Sequence, residues 1–370
     1  MPRDLTRHAA TRTLLLGLLL FCVGAVLPAT ALGLTSLETL GKKIYFDRTL
    51  SDPNGQACSD CHLPSAGWAD PDQGLPVSEG VVPETFGGRN SPTAAYAAFS
   101  PVFQWNAMRG MYIGGQFWDG RAADLVAQAK GPFLNPVEMH NPDKATVVND
   151  VKNGSYAALF RKVFGSSSLN NVEAAYDKIA TAIAGYEKSR EVNAFSSKYD
   201  AVMAGRAAFT AQEQQGRTLF AGKGSCTTCH GCGMGGMGGG GCGMGANAVF
   251  TDFSYRNLGV PRNTAFPFSP AAPADLGLGA IVHDSNQDGK FKVPTLRNIA
   301  MTAPYTHNGS FATLHDLIDF YNTRDVPGAG WAEPEVDYNL SGQLGDLELT
   351  PGEIDAIVAF LNTLTDGYGN

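Results

Sequence analysis

Positive charge is scarce in this sequence. Lys and Arg number 27 against 35 Asp and Glu, and 17% of the 370 residues are charged. Such a balance offers no basic face to a phosphate backbone, which excludes nucleic-acid binding. It leaves room for a basic protein partner drawn in by electrostatic steering. Long hydrophobic runs are missing too. The apolar stretch from Leu14 to Val26 falls short of the ~20 residues a membrane span needs. It follows Arg3, Arg7 and Arg12 and precedes Ala29-Thr30-Ala31, so residues 1–31 read as a secretory signal peptide. The mature chain is then expected in a bacterial periplasm, with no membrane span after cleavage. Loss of the segment's three Arg and one Asp takes the formal charge from −8 to about −10. No strand-rich region competes with the helical patterns, so the expected fold is mainly α. Apolar content of 44% excludes disorder, and the length suffices for two cores. Gly 44 and Pro 21 imply much loop.

Cysteine is also sparse, and its placement is informative. Of 7 cysteines, Cys22 lies in the leader. Cys58 and Cys61 precede His62, and Cys226 and Cys229 precede His230. C-x-x-C-H attaches haem c: two thiols add to the vinyl groups of one porphyrin, and the adjacent imidazole becomes the proximal iron ligand. A lone C-x-x-C could be a redox dithiol or half a zinc site. Here the motif occurs twice, each time with histidine, in a chain read as exported. Two haems, ligated by His62 and His230, are expected.

The contexts of the two motifs match. "LGKKIYFDRTLSDPNGQACSDCH" and "QGRTLFAGKGSCTTCH" each place an amphipathic helical stretch ending in an aromatic shortly before the cysteines. This weak duplication predicts two related domains, 32–190 and 191–370. Thr210 to Glu213 and Thr350 to Glu353 are capping boxes that open helices, the latter with Pro351 at the first helical position. Ile354, Ile357, Val358, Leu361 and Leu364 give the last helix one apolar face. A long helix is predicted from about Val172 to Ser189. "EVNAFSSKYDAVMAG" then crosses from one domain to the other.

"FWDGRAADLVAQAKGPFLNPVEM", residues 117–139, carries Trp118, Gln128 and Glu138 in one ordered stretch. A peroxidase needs a base beside the open iron face to move a proton between peroxide oxygens, and a carboxylate with an amide neighbour suits that task. Read singly from composition, Glu138 is a surface acid and Trp118 a core residue.

This sequence resembles the bacterial di-haem cytochrome c peroxidases and their relative MauG. The resemblance covers nearly the whole mature chain. It rests on both C-x-x-C-H sites, on residues 117–139, on "KVPTLRNIAMTAPYTHNGSFATLHDLIDFYN" and on "LTPGEIDAIVAFLNTL". It implies two cytochrome c-like helical domains with one haem each, and peroxide chemistry at the N-terminal haem. Glu138 matches the family's acid-base, Gln128 its distal glutamine, Trp118 the tryptophan between the haems and Pro132 a distal-pocket proline. Thr302 and Pro304 match residues whose carbonyls bind an interdomain calcium.

Three departures sharpen the reading. Many di-haem peroxidases carry a blocking histidine just before "RNSPT". This chain has Gly87-Gly88 there and no histidine between His62 and His140, so its N-terminal haem is expected to be five-coordinate and open to peroxide. Tyr321 stands where the peroxidases place a methionine ligand and MauG a tyrosine. A phenolate favours oxidised iron and lowers its potential. The alternative is that Tyr321 is a packed aromatic, with Met301 or a loop methionine on the iron. Third, the family's side-chain calcium ligand falls near Tyr96, which leaves calcium to carbonyls and water.

The segment 231–245 is outside the resemblance. Its glycines exclude a helix. Cys232, Met234, Met237, Cys242 and Met244 are soft donors suited to copper(I), and a Cys232–Cys242 disulfide is the plainer reading. His283, His307 and His315 are assigned no iron. The expected function is a MauG-like peroxidase that spends its oxidising equivalents on an aromatic side chain of a partner protein. A peroxide scavenger reduced by a small cytochrome or copper protein, and a non-catalytic di-haem electron carrier, remain as alternatives.

Overall fold

The computed structural model describes residue 1 and residues 33–231 and 244–369. Residues 2–31 of the segment read as a signal peptide, and Cys232 and Cys242 with their disulfide or copper reading, lie outside the described residues. Helices carry most of the regular structure. The strands form two small antiparallel ribbons, β1 (Gln104–Asn106) with β2 (Met111–Ile113) and β3 (Tyr255–Arg256) with β4 (Phe291–Lys292). The fold is mainly α, and residues 34–370 form one compact unit.

Helix starts follow their capping residues. Thr210 caps the helix Ala211–Ala221 and Thr350 caps Pro351–Asn362, both as capping boxes with Glu213 and Glu353. Thr35 and Glu38 form a third, which opens the helix Ser36–Tyr45. The long helix runs Val172–Glu187, slightly shorter than the pattern suggested, because Lys188 caps it and Ser189 turns back to the Tyr186 carbonyl. Ile354, Ile357, Leu361 and Leu364 are buried, as the apolar face of the last helix requires.

Two hydrophobic clusters organise the interior. One gathers Leu40, Ile44, Tyr45, Val147, Phe160, Ile179 and Ile183; the other gathers Tyr199, Phe220, Phe250, Phe320, Ile357 and Phe360. Each is built on a crossed helix pair, Ser36–Tyr45 on Val172–Glu187 and Ala211–Ala221 on Pro351–Asn362. The repeated G-x-x-[IL]-[YF] of the two motif contexts explains both crossings. A Cβ on Gly41 would land on the Ala182 carbonyl, and one on Gly216 on the Ala356 carbonyl. Only glycine lets these backbones approach.

Arg297 joins the clusters. It is 0% exposed, and its guanidinium donates to Asp200 at 2.6 and 2.9 Å and to the Ala248 carbonyl at 2.6 Å. Tyr96, Phe195, Tyr199 and Phe250 surround it at 4.9–5.7 Å. Burial works against the Asp200 charge, but the Arg297 hydrogen bonds outweigh it and hold that carboxyl below its usual range.

Gly41→Ala and Gly216→Ala should each force a helix pair apart and cost about 1–3 kcal/mol, as overpacked cores do. Chemical denaturation of the two variants checks this; wild-type midpoints would show that the crossings can relax.

Candidate active site

Two cavities open beside the two C-x-x-C-H motifs. Each motif forms a single helical turn, Cys58–Cys61 and Thr227–His230, which turns its thiols and imidazole to one side. Cys58, Cys61 and His62 line the first cavity, and Cys226, Cys229 and His230 line the second. All four cysteines are free. Burial pushes the Cys61 and Cys226 thiols up to about 12 and raises those of Cys58 and Cys229. Neutral buried thiols are the opposite of the low-pKa thiolates of redox dithiols. Among the described residues no cluster of three or more His, Cys, Asp or Glu side chains is placed to hold a bare metal ion.

The imidazoles suit iron. Burial lowers His62 to about 4 and also lowers His230, so both are neutral and carry a lone pair. His230 Nδ1 donates to the Phe250 carbonyl at 2.9 Å, which leaves Nε2 as the ligating nitrogen. His62 Nδ1 is buried without a partner. Two free thiols and a neutral imidazole facing one cavity, twice over, fit two haem c groups.

The first cavity also brings together Trp118, Gln128, Pro132 and Glu138. Asp124 caps the short helix Leu125–Ala129 that carries Gln128. The next helix, Gly131–Leu134, carries Pro132 in its first turn, and the chain then folds back, the Met139 amide donating to the Pro132 carbonyl at 3.2 Å. That fold-back sets Glu138 beside Pro132. Asn135 Nδ2 donates to Glu138 Oε1 at 2.9 Å. Burial raises the Glu138 pKa, against Arg121 and the Asn135 hydrogen bond. A carboxyl so raised is poised to exchange protons nearer neutrality. Gly87 and Gly88 line the same cavity, and a Cβ on Gly88 would meet nothing within 4 Å. Room for a blocking side chain exists there, but no side chain does.

Tyr321 lines the second cavity, together with the motif's thiols, from the helix Leu314–Thr323. Burial raises its phenol pKa. Among the described residues no methionine lines that cavity; Met301 packs instead against Gly67. Thr302 and Pro304 are on its wall. Tyr96 is fully buried, and its hydroxyl donates to Asp366 at 2.8 Å. His307 stacks on Phe291 at 3.6 Å, while His283 and His315 stand off both cavities.

Trp118 lines both cavities. Its indole N–H donates to the Asn90 carbonyl at 2.8 Å, and its own carbonyl accepts from the Lys292 amide at 2.7 Å. Next to it, Asp119 pairs with Arg89 at 2.5 Å, and Arg89 forks onto Asp275 at 2.7 and 2.8 Å. Sequence reasoning missed Arg89, Asp119, Asp275 and Asn135. Asn135 was findable, three residues before Glu138 on a turn; the other three meet only across the fold.

Comparison with known proteins agrees with this chemistry. The family model for di-haem cytochrome c peroxidase matches residues 35–208. The methylamine utilization protein MauG of Paracoccus denitrificans is 43% identical over 354 residues, covering 90% of this chain and 89% of that protein. The cytochrome c551 peroxidase of Pseudomonas aeruginosa is 31% identical, covering 88% and 78%. The crystal structure of the di-haem peroxidase BthA from Burkholderia thailandensis superposes with a TM-score of 0.79 at 32% identity, covering 90% and 86%. A protein of this architecture, with two such cavities, is a di-haem peroxidase, an oxidoreductase acting on hydrogen peroxide. The chain belongs to the di-haem cytochrome c peroxidase and MauG family, which implies two haem c groups, peroxide and a protein redox partner.

Loss of Cys58 and Cys61, or of Cys226 and Cys229, should leave one covalent haem where the parent carries two. Intact mass and a pyridine haemochrome assay check this; a parent carrying only one would overturn the assignment of both cavities.

Proposed function

We propose that this chain is an exported, periplasmic, MauG-like peroxidase that oxidises an aromatic side chain of a partner protein. Its halves, 32–190 and 191–370, are cytochrome c-like domains with one haem c each. The observation that carries this reading is Tyr321, rather than a methionine, on the wall of the His230 cavity. An anionic oxygen ligand lowers an iron potential, which suits holding an oxidising equivalent and disfavours turnover with an ordinary small cytochrome.

When bound, the haems would supply the two electrons that reduce one peroxide to water. The chain's own residues do the rest. His62 and His230 hold the iron by neutral nitrogens. Gly87 and Gly88 leave the first cavity open to peroxide. Glu138 takes a proton from one peroxide oxygen and returns it to the other, the direction a raised carboxyl pKa favours. Gln128 orients the peroxide, Pro132 walls the pocket, and Trp118 carries electrons between the cavities it lines. The same reading holds a calcium ion on the Thr302 and Pro304 carbonyls, with water in place of the side chain that Tyr96 does not supply. Among the described residues no helix is long and apolar enough to cross a membrane.

Glu138→Gln should keep both haems and slow peroxide consumption by ~10²-fold. In the parent, the rate should fall as acid protonates Glu138, at a pH above the ordinary carboxylate range because burial raises that pKa; the variant should lose this limb. An unchanged rate and limb would remove Glu138 from the mechanism.

Tyr321→Met should raise the potential of the C-terminal haem and shorten the life of the oxidised state that peroxide leaves without a donor. Redox titration and stopped-flow absorbance measure both. Rapid parental turnover with a small reduced cytochrome would favour the scavenger instead.

A further inference from the structure

The β1–β2 hairpin is part of the first half of the chain, yet it is tied to the second motif. Arg109, in its turn, pairs with Asp252, and Arg109 Nη1 donates to the Asp252 carbonyl at 3.3 Å. The Asp252 amide donates to the Cys229 carbonyl at 2.9 Å. Arg256, on the wall of the second cavity, reaches Met111 Sδ at 3.8 Å. Two separate contacts thus hold the hairpin against the Cys229 side of that cavity.

The hairpin carries a ladder of aromatic rings. Trp105 and Tyr112 face each other across the strands with centroids 5.0 Å apart. Tyr112 stacks on Phe103 at 5.4 Å, nearly parallel at 5°. Phe103 meets Tyr255 edge-on at 6.0 Å. Tyr255 pairs in register with Lys292, whose amide bonds the Trp118 carbonyl. Gly120, two residues after Trp118, has φ +77°, and a Cβ there would strike the Tyr255 hydroxyl and lie 2.8 Å from the Phe103 ring. The rings therefore press directly onto the backbone beside Trp118, and only glycine permits it.

The outer end of the ladder is at the surface. Trp105 is 49% exposed, and Phe99, Val102 and Met108 beside it in sequence are 38%, 56% and 94% exposed. Single exposed apolar residues are ordinary, but four within ten positions are not. The indole packs on Tyr112 on one side and is half in water on the other, and among the described residues its N–H finds no hydrogen-bond partner.

We infer that Trp105 is a surface oxidation site, where a phenol or indole ring too large to enter either cavity gives up one electron. The inference rests on the peroxidase reading above and names its exit. Electrons pass from the donor to Trp105, then by Tyr112 and the Phe103–Tyr255 contact to Trp118. Trp and Tyr are the oxidisable stations, and Phe103 shortens the gap between them. For a phenol the balance closes. One hydrogen peroxide takes two electrons and two protons, its O–O bond breaks, and two waters leave. Two phenols each lose one electron and one proton and become phenoxyl radicals.

The holoprotein is mixed with peroxide and either free tyramine or a folded carrier protein bearing one exposed tyrosine. Peroxide loss, dityrosine formation and the position of tyramine adducts on the chain are read separately, the last by peptide mass spectrometry. In the parent, adducts should fall on 104–113. Trp105→Phe, which keeps a ring against Tyr112, should lower carrier oxidation at least about tenfold while the first-turnover loss of peroxide stays within about twofold. Tyr112→Phe, which keeps the stack but removes the oxidisable phenol, should act in the same direction. If both variants still oxidise free tyramine at the parental rate, the site serves macromolecular donors; if that rate falls too, it serves both sources. Parental carrier oxidation in Trp105→Phe, or adducts only outside the hairpin, overturns the inference. A parent that consumes no peroxide sinks the peroxidase reading first, and that outcome is told apart by the peroxide trace alone.

Discussion

A charged group without any solvent contact sits at the middle of this molecule. The Arg297 guanidinium has no water to turn to, so every N–H must find an oxygen inside. Asp200, Ser197 and the Ala248 carbonyl accept four hydrogen bonds from it, and four aromatic rings close around the plane. The rings come from both hydrophobic clusters, Tyr96 from one and Tyr199 and Phe250 from the other. Asn298, the next residue, extends the grip: it bonds Asp366, which also receives Tyr96 and Ser196. Because leaving any of these partners unpaired is costly, the two halves are held in one mutual placement.

That placement is what makes a shared tryptophan possible. Where Trp118 borders both cavities, the backbone beside it is braced by Arg89, the residue after Gly87-Gly88, pinned between Asp119 and Asp275. The fork needs Asp275 from the second half and Asp119 from the first. A bidentate pair of this kind restrains direction as well as distance, so the indole plane is kept in position between two sites on separate helix pairs. The open side at Gly87-Gly88 and the raised carboxyl of Glu138 belong to one cavity, the phenol of Tyr321 to the other. The proposed division of labour rests on which side chains each wall carries.

The duplication in the sequence also has a physical meaning. Gly41 and Gly216 stand at equivalent points of the two repeats because a helix must pass close over each. The apolar residue and the aromatic that follow, Ile44 with Tyr45 and Leu219 with Phe220, then fill the core beside the crossing. The motif turns come next in both copies, which brings thiols and imidazole to the flank of a packed helix pair.

Much was legible because its cause is local. Capping boxes at Thr210 and Thr350, the apolar stripe of the last helix and the spacing of C-x-x-C-H act over a few residues, so order along the chain specifies them. The grouping of Trp118, Gln128 and Glu138 was readable for the same reason, since one short stretch of turns carries all three; Pro132, in the same stretch, entered through the family resemblance. Residues that meet across large sequence separations were not readable in this way. Asp119 and Arg89 fall inside FWDGR and RNSPT and Asp275 in no motif, and nothing in their neighbours announces a buried fork. Arg297 reads as an ordinary charged residue in "TLRN", and Trp105 as one more aromatic. The sequence alone determined the helices, the two C-x-x-C-H turns and the kind of chemistry. Tertiary structure decided which cavity each wall residue serves, that one indole borders both, and that a ladder of rings reaches the surface, because burial and distance exist only once the chain has closed on itself.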